Sequence, residues 1–200
     1  MSAAEKLLLR LSSEGRLRAP HFRHQRMRLH SLSRIRIGIS SCLLGQSVRY
    51  DGGHRHNEII VATFGKDFDL VPFCPEVAIG LGVPRAPIRL IRDTHGARAR
   101  GIADPVFDVT DRLAAYAETV AAELCNVSGY IFKAGSPSCG VRDVPVFGAE
   151  GVPVAAGTGI YAATLMALLP GLPVEDEGRL TDPVIRENFI ERVLVYHHSR

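Results

Sequence analysis

The sequence predicts an α/β fold: a single three-layer domain with a mainly parallel sheet and helices on both faces. Two observations carry that expectation. From residue 35 onward, short apolar stretches with strand periodicity alternate with stretches of helical periodicity, the order that βαβ units require. Each strong strand candidate also runs out into a loop bearing a cysteine: IGISSC to Cys42, DLVPFC to Cys74 and YIFKAGSPSC to Cys139. In open parallel sheets, ligand sites lie outside the carboxyl ends of the strands, so residues far apart in sequence meet there.

The elements follow in order. Ile35, Ile37 and Ile39 alternate with polar residues over 34–40 as a half-buried strand does, and 57–64 reads as a short helix. Residues 67–73, with Leu70, Val71 and Phe73, form a second strand. The stretch 84–109 holds Pro84, Pro87 and Pro105 and reads as an excursion with a hairpin around 88–91 and 98–101. Thr110 or Asp111 caps a helix running to about Cys125, with Leu113, Ala117, Val120, Ala121 and Leu124 on its apolar side. GYIFK (129–133) is a third strand. A helix after Gly157-Thr158-Gly159 carries Ile160, Ala163, Leu165 and Leu168 until Pro170-Gly171 stops it. Residues 173–175 suit a short strand, and Asp182-Pro183 opens a last helix through Val195.

Composition bounds the class. At 200 residues and 46% apolar content, one domain buries a sizeable core. No apolar run approaches the roughly 18 residues of a membrane span, and Leu7-Leu8-Leu9 is too short for a signal-peptide core. Four cysteines without an export signal point to a reducing compartment, the cytoplasm, where thiols serve packing, metals or catalysis rather than disulfides. The net charge of +3 divides into +7 for residues 1–36 and −4 for the rest, which argues against a nucleic-acid partner for the folded body. Residues 1–34 are expected to be a basic, flexible N-terminal extension, with Met27 as an alternative start just before the first strand. A targeting segment, which Glu5 and Glu14 weaken, and a loose electrostatic arm are the competing readings. Residues 35–200 are expected to form the single domain.

Buried packing is the plain alternative for any cysteine, and it suits Cys125, late in a helix beside its apolar face. It suits Cys42, Cys74 and Cys139 less well, since each sits among Gly, Pro or Ser at a strand end. Structural zinc takes four ligands, often with paired C-x₂₋₄-C spacing, and no such pair exists here. Thiolates suit iron–sulfur clusters, and a [4Fe-4S] cube held by three cysteines leaves one iron open to a substrate sulfur.

The residues around these cysteines favour chemistry over electron transfer alone. Glu76, two positions after Cys74, is placed to act as a general acid or base, against the alternative of a surface or salt-bridged carboxylate. Ser136 and Ser138 flank Pro137 ahead of Cys139, where hydroxyls hydrogen-bond a substrate or simply shape a turn. Arg49 and Arg85 lie just beyond the first two cysteine motifs as candidate partners for a carbonyl or phosphate, or as structural ion pairs. The Gly157-Thr158-Gly159 helix start offers backbone N–H groups to an anion or merely caps the helix. His54 and His56 read as exposed loop residues.

Four segments, SSCLLGQSVRYDGG (40–53), FCPEVAIGLGVPR (73–85), KAGSPSCG (133–140) and LPVEDEGRLTDPVIRENFIERV (172–193), resemble the thiouracil desulfurase family in the family's own order. The resemblance covers residues 35 to about 196. It implies a compact α/β domain in which Cys42, Cys74 and Cys139 hold a [4Fe-4S] cluster with one iron free for substrate. It implies Glu76 as the catalytic carboxylate and Ser136, or else Ser138, as the assisting serine. The implied substrate is a small thiolated pyrimidine: 2- or 4-thiouracil, or thiouridine monophosphate. The implied reaction is non-redox release of hydrosulfide, and cluster-assembly machinery is the expected protein partner. Residues 1–34 have no counterpart in the family pattern, and Ala134-Gly135 is less charged than in many members, which bears on substrate preference. A non-catalytic cluster protein for electron transfer or sensing is the first rival, and a tRNA-associated sulfur protein gripping through the arginines of residues 1–34 is the second.

Overall fold

The computed structural model describes residues 34–94 and 96–200, with Cys125 described by its backbone only. The expected extension therefore lies, but for its last residue, outside the described residues, as does the packing assigned to the Cys125 side chain.

Two four-stranded sheets form the frame. The first has the order β2-β1-β5-β8, built from β1 (Arg36–Ser40), β2 (Asp69–Phe73), β5 (Val127–Phe132) and β8 (Val174–Asp176). All three of its ladders are parallel. The chain leaves β1 for β2 on one side and returns past it to β5 on the other. The gap between the carboxyl ends of β1 and β5 is thus the switch point where such sheets bind ligands.

Helices cover both faces, as the sequence predicts. On one side α1 (Glu58–Phe64) and α5 (Pro183–His198) bury Ile60, Phe64, Phe189 and Val193 against Ile37, Ile39 and Ile131. On the other, α3 (Thr110–Glu123) and α4 (Ile160–Leu168) bury Ala117, Val120, Tyr161 and Leu165 against Tyr130 and Phe132. The alternation along β5 is what the pleat demands: Ile131 faces one layer, Tyr130 and Phe132 the other. Gly38 of β1 is required by this packing, because a Cβ there would meet the Tyr130 ring at 2.5 Å. Local chemistry starts the helices: Asn57 Oδ1 accepts from the Ile60 N–H (3.1 Å), and Asp182 Oδ1 accepts from Val184 (2.8 Å) ahead of Pro183. The helix α3 departs from the predicted cap. Thr110 is its first residue, Asp108 Oδ1 accepts from the Thr110 N–H, and the Thr110 hydroxyl accepts from the Ala99 N–H.

The second sheet has the order β4-β3-β6-β7, formed by β3 (Ile88–Asp93), β4 (Gly96–Gly101), β6 (Val144–Phe147) and β7 (Pro153–Gly157). The expected hairpin is present, with Ile88 opposite Gly101 and Ile91 opposite Arg98. The other two strands lie where the sequence shows none. Pro145 removes a ladder donor, the β6–β7 register shifts between Val146 and Phe147, and Pro-Val-Ala-Ala-Gly has little strand propensity. This mixed sheet packs Leu90, Ala99, Val144 and Val146 against Val109 and Leu113, around the start of α3. It forms a wall beside the carboxyl ends of the parallel strands.

Candidate active site

The three cysteines converge. Cys42 lies in a 3₁₀ turn (Ser41–Leu44) directly after β1, Cys74 caps a one-turn helix α2 (Pro75–Ala78) directly after β2, and Cys139 ends the loop that follows β5. All three are free thiols on the wall of one cavity of about 380 Å³. Among the described residues no further Cys, and no His, lines that cavity. Nor do any three His, Cys, Asp or Glu side chains among them close around a point as ligands of one metal ion would.

Glycine contacts and a helix end fix the Cys139 loop. Gly159, at the start of α4, donates from its N–H to Gly140 (2.7 Å), while Ile160 and Ala162 donate to Pro137 and Ser138. The helix N-terminus thus spends its free N–H groups on the cysteine loop rather than on an external anion. A Cβ on Gly159 would stand 2.6 Å from the Ser138 carbonyl, so only glycine permits this approach. The Ser136 hydroxyl oxygen accepts from the N–H groups of Ser138 (3.2 Å) and Cys139 (3.0 Å), which closes the turn. Its own hydrogen remains available, and Ser136 lines the cavity.

Glu76, in the first turn of α2, also lines the cavity. Its Oε1 accepts from the Ser138 hydroxyl (2.9 Å), and Ser138 is fully buried. Its Oε2 accepts from Arg85 Nε at 2.9 Å and lies 2.8 Å from Arg85 Nη2. The other Arg85 donors go to the carbonyls of Gly82 (2.8 Å) and Val48 (2.9 Å), and its side chain is only 6% exposed. Ser138 and Arg85 therefore grip the carboxylate from two sides. Both were singled out from the sequence as substrate contacts. In the structure Arg85 lines the cavity while its guanidinium is bonded to protein groups, and Ser138 faces Glu76. Arg49 lines the cavity too, its guanidinium carbon 5.4 Å from the Tyr50 ring centroid and its buried Nε ion-paired with Asp51 Oδ1 at 3.5 Å rather than hydrogen-bonded. His54 and His56 are exposed, as expected.

Electrostatics follow from burial. Desolvation pushes the Cys42 thiol up to about 11, against which the nearby Lys133 ammonium pulls down; desolvation likewise raises Cys74, and raises Cys139 well above the ordinary thiol value. Three desolvated thiols on one wall suit a cationic, thiophilic group whose charge would offset three buried thiolates. This donor set fits an iron–sulfur cluster.

A profile of the 2-thiouracil desulfurase family matches residues 37–177, a span that contains the three cysteines, Glu76, Ser136, Ser138, Arg49 and Arg85. The chain belongs to this family. It is 34% identical over 152 residues to the uncharacterized protein YbbK of Bacillus subtilis (strain 168), covering 73% of this chain and 98% of that one. It is also similar in structure to the [4Fe-4S]-dependent thiouracil desulfidase TudS, with a TM-score of 0.55 and 30% identity over 74% of this chain and 93% of the other. Family membership makes the chain an enzyme.

Two charged residues at this cavity are not singled out by the sequence. Lys133 lines the cavity and ion-pairs with Glu177, and Glu177 also accepts from the Ala134 N–H at 2.7 Å. Lys133 directly precedes the Cys139 loop, and Glu177 lies in the acidic Glu-Asp-Glu run of the fourth family segment, the one available signal.

Proposed function

We propose that the chain converts the thiocarbonyl group of a thiolated pyrimidine, 2- or 4-thiouracil or thiouridine monophosphate, to the carbonyl with release of hydrosulfide. Cys42, Cys74 and Cys139 would hold a [4Fe-4S] cluster through three thiolates. The observation that carries this reading is that three desolvated thiols share a cavity with a carboxylate gripped from two sides. When bound, the cluster supplies a Lewis-acidic iron for the thiocarbonyl sulfur.

The protein groups then have distinct tasks. Glu76, held by Ser138 and Arg85, takes a proton from water as the oxygen attacks the thiocarbonyl carbon, and returns one to the departing sulfur. The balance is thiocarbonyl plus water giving carbonyl plus hydrogen sulfide, with no electron transferred. Ser136 donates its hydroxyl hydrogen into the cavity to orient the base. Arg49, on the cavity wall, receives a ring carbonyl or a phosphate. The cavity volume lies in the range of ordinary small-ligand pockets. The reading takes 35–200 as one cluster-binding domain that works in the cytoplasm and receives its cluster from assembly machinery. Among the described residues no helix is long and apolar enough to cross a membrane.

The test is to load the protein anaerobically with its cluster and supply 2-thiouracil, 4-thiouracil and their nucleotides. Sulfide release in step with loss of thiocarbonyl absorbance is expected for at least one of them. A fully loaded protein that turns over none of them overturns the reading.

A further inference from the structure

The Cys139 loop, residues 133–143, joins β5 to β6. Its middle rests on the start of α4, and both of its ends are held by one acidic run, Glu175-Asp176-Glu177, at the end of β8. Downstream of the cysteine, Arg142 Nη1 donates to Glu175 Oε1 (2.7 Å) and lies 3.3 Å from Asp176 Oδ2. Upstream, Glu177 receives the Lys133 ammonium on one oxygen and the Ala134 N–H on the other, the latter at 2.7 Å. The Lys133 N–H in turn donates to the Ser40 hydroxyl at 3.0 Å, which ties this end of the loop to the last residue of β1.

Three consecutive carboxylates are a costly way to finish a three-residue edge strand. Glu175 and Asp176 are only 4% and 5% exposed, so their charges give up hydration and repel one another. Apolar side chains of similar volume often stabilise a fold as well as buried ion pairs do, so stability alone does not account for the run. What the pairs add is position. Arg179 also reaches Glu175, at 3.3 Å, but it is half exposed and four residues along the same segment, so it fixes nothing distant. Arg142 and Lys133, by contrast, bracket Cys139. The backbone carries the mark of that restraint: Asp143, next to Arg142, has a left-handed φ of 54°, which a non-glycine residue keeps where its surroundings over-determine it.

We propose that Glu175, Asp176 and Glu177 are positioning residues: through Arg142 on one side of Cys139, and Lys133 and Ala134 on the other, they fix the loop at both ends and set where Cys139 presents its sulfur to the cavity. The restraint on the loop stands without a cluster; that it serves cluster retention rests on the function proposed above.

The thiols themselves report the restraint. In the cluster-free full chain, the rates at which neutral N-ethylmaleimide alkylates Cys42, Cys74 and Cys139 are read separately by peptide mass spectrometry, with and without low urea. Cys139 is 6% exposed and reacts through opening of its loop. In Arg142→Met its rate should rise about tenfold, while Cys42 and Cys74 stay within about twofold of wild type, because local opening frees one segment at a time. The rise should be independent of low urea, since local opening exposes little surface. Arg142→Lys should restore the slow rate. Glu177→Gln, which still offers an acceptor to the Ala134 N–H, should give a smaller rise of about threefold and serves if Arg142→Met does not fold. An unchanged Cys139 rate overturns the proposal, as does a rise shared by all three thiols and steep in urea, which marks a general loss of stability. In the loaded protein, iron should pass to a chelator faster in Arg142→Met than in wild type and at the wild-type rate in Arg142→Lys. Wild-type iron release from loaded Arg142→Met protein overturns the link to cluster retention, whereas wild-type protein that takes up no cluster overturns the proposed function and leaves the alkylation test to decide the restraint.

Discussion

Replacing Arg85 with Met removes the clamp on Glu76 while leaving the thiols untouched. Four contacts disappear together: both donors to Glu76, at 2.9 and 2.8 Å, and the bonds to the carbonyls of Gly82 and Val48. The arginine side chain is 6% exposed and the Glu76 side chain 14%, so solvent screens this pair little. Breaking a buried pair by removing one partner costs about 3–5 kcal/mol, because the remaining charge stays desolvated without its counter-ion. For a chain of this length, that corresponds to a fall in Tm of roughly 6–20 °C. The partially freed carboxylate should also lose orientation, lowering kcat about 100-fold, the low end of what a positioned acid–base group contributes. Urea unfolding of the cluster-free protein reads the first effect, and turnover per loaded cluster reads the second. Arg85→Met and Glu76→Gln should be strongly non-additive in a double-mutant cycle, with a coupling of about 1–3 kcal/mol. Additive single effects would refute the claim that Arg85 works through Glu76.

Gly159→Ala should destabilise the protein by about 1–3 kcal/mol or more and reduce cluster loading. Its Cβ would meet the backbone of the cysteine loop, and iron per chain alongside a urea midpoint checks both. Ser138→Ala should lower stability by about 1–3 kcal/mol through loss of a buried bond to a carboxylate, while Ser136→Ala should act on KM as well as kcat because Ser136 faces the cavity; steady-state kinetics separate the two. Burial alone would raise the Asp108 carboxyl, but its bonds to Arg98 (2.6 Å) and Arg100 (2.9 Å) hold it well below the ordinary value of 3.8. A depressed native value means its stabilisation is complete above about pH 4 and is lost as the pH falls further. The urea midpoint of Asp108→Asn should therefore lie below wild type by a constant amount above pH 5 and converge with it below pH 4.

The parallel sheet was legible because its strands are short apolar runs between helical stretches: β1 is buried at four of its five residues and β5 along its whole length, and α3 buries Leu113, Ala117 and Val120 at helical spacing. The second sheet was half legible. The hairpin of β3 and β4 announces itself by alternation, but β6 and β7 hold Pro145, Pro153 and small residues, and form by pairing, β6 with β3 and β7 with β6, rather than by propensity. At the site, the cysteines could be read because each follows a strong strand. What holds the Glu76 carboxylate could not. Glu76 and Ser138 are 62 positions apart, and Lys133 and Glu177 44 apart, so only tertiary structure pairs them. Arg85 showed the limit most clearly, since an arginine on a cavity wall looks the same in sequence whether it serves a ligand or a neighbouring carboxylate. The Gly-Thr-Gly start of α4 hinted at a close approach, but the approaching group is the backbone of the chain's own cysteine loop.

In the proposed reaction Glu76 moves protons at a site whose cluster the three thiols hold without its help. Sulfide release from thiouracil, normalised to iron content, in wild type and Glu76→Gln tests it most directly. Equal iron per chain and a rate at least about 100-fold lower in the variant are expected. Wild-type turnover by a fully loaded Glu76→Gln protein would contradict it.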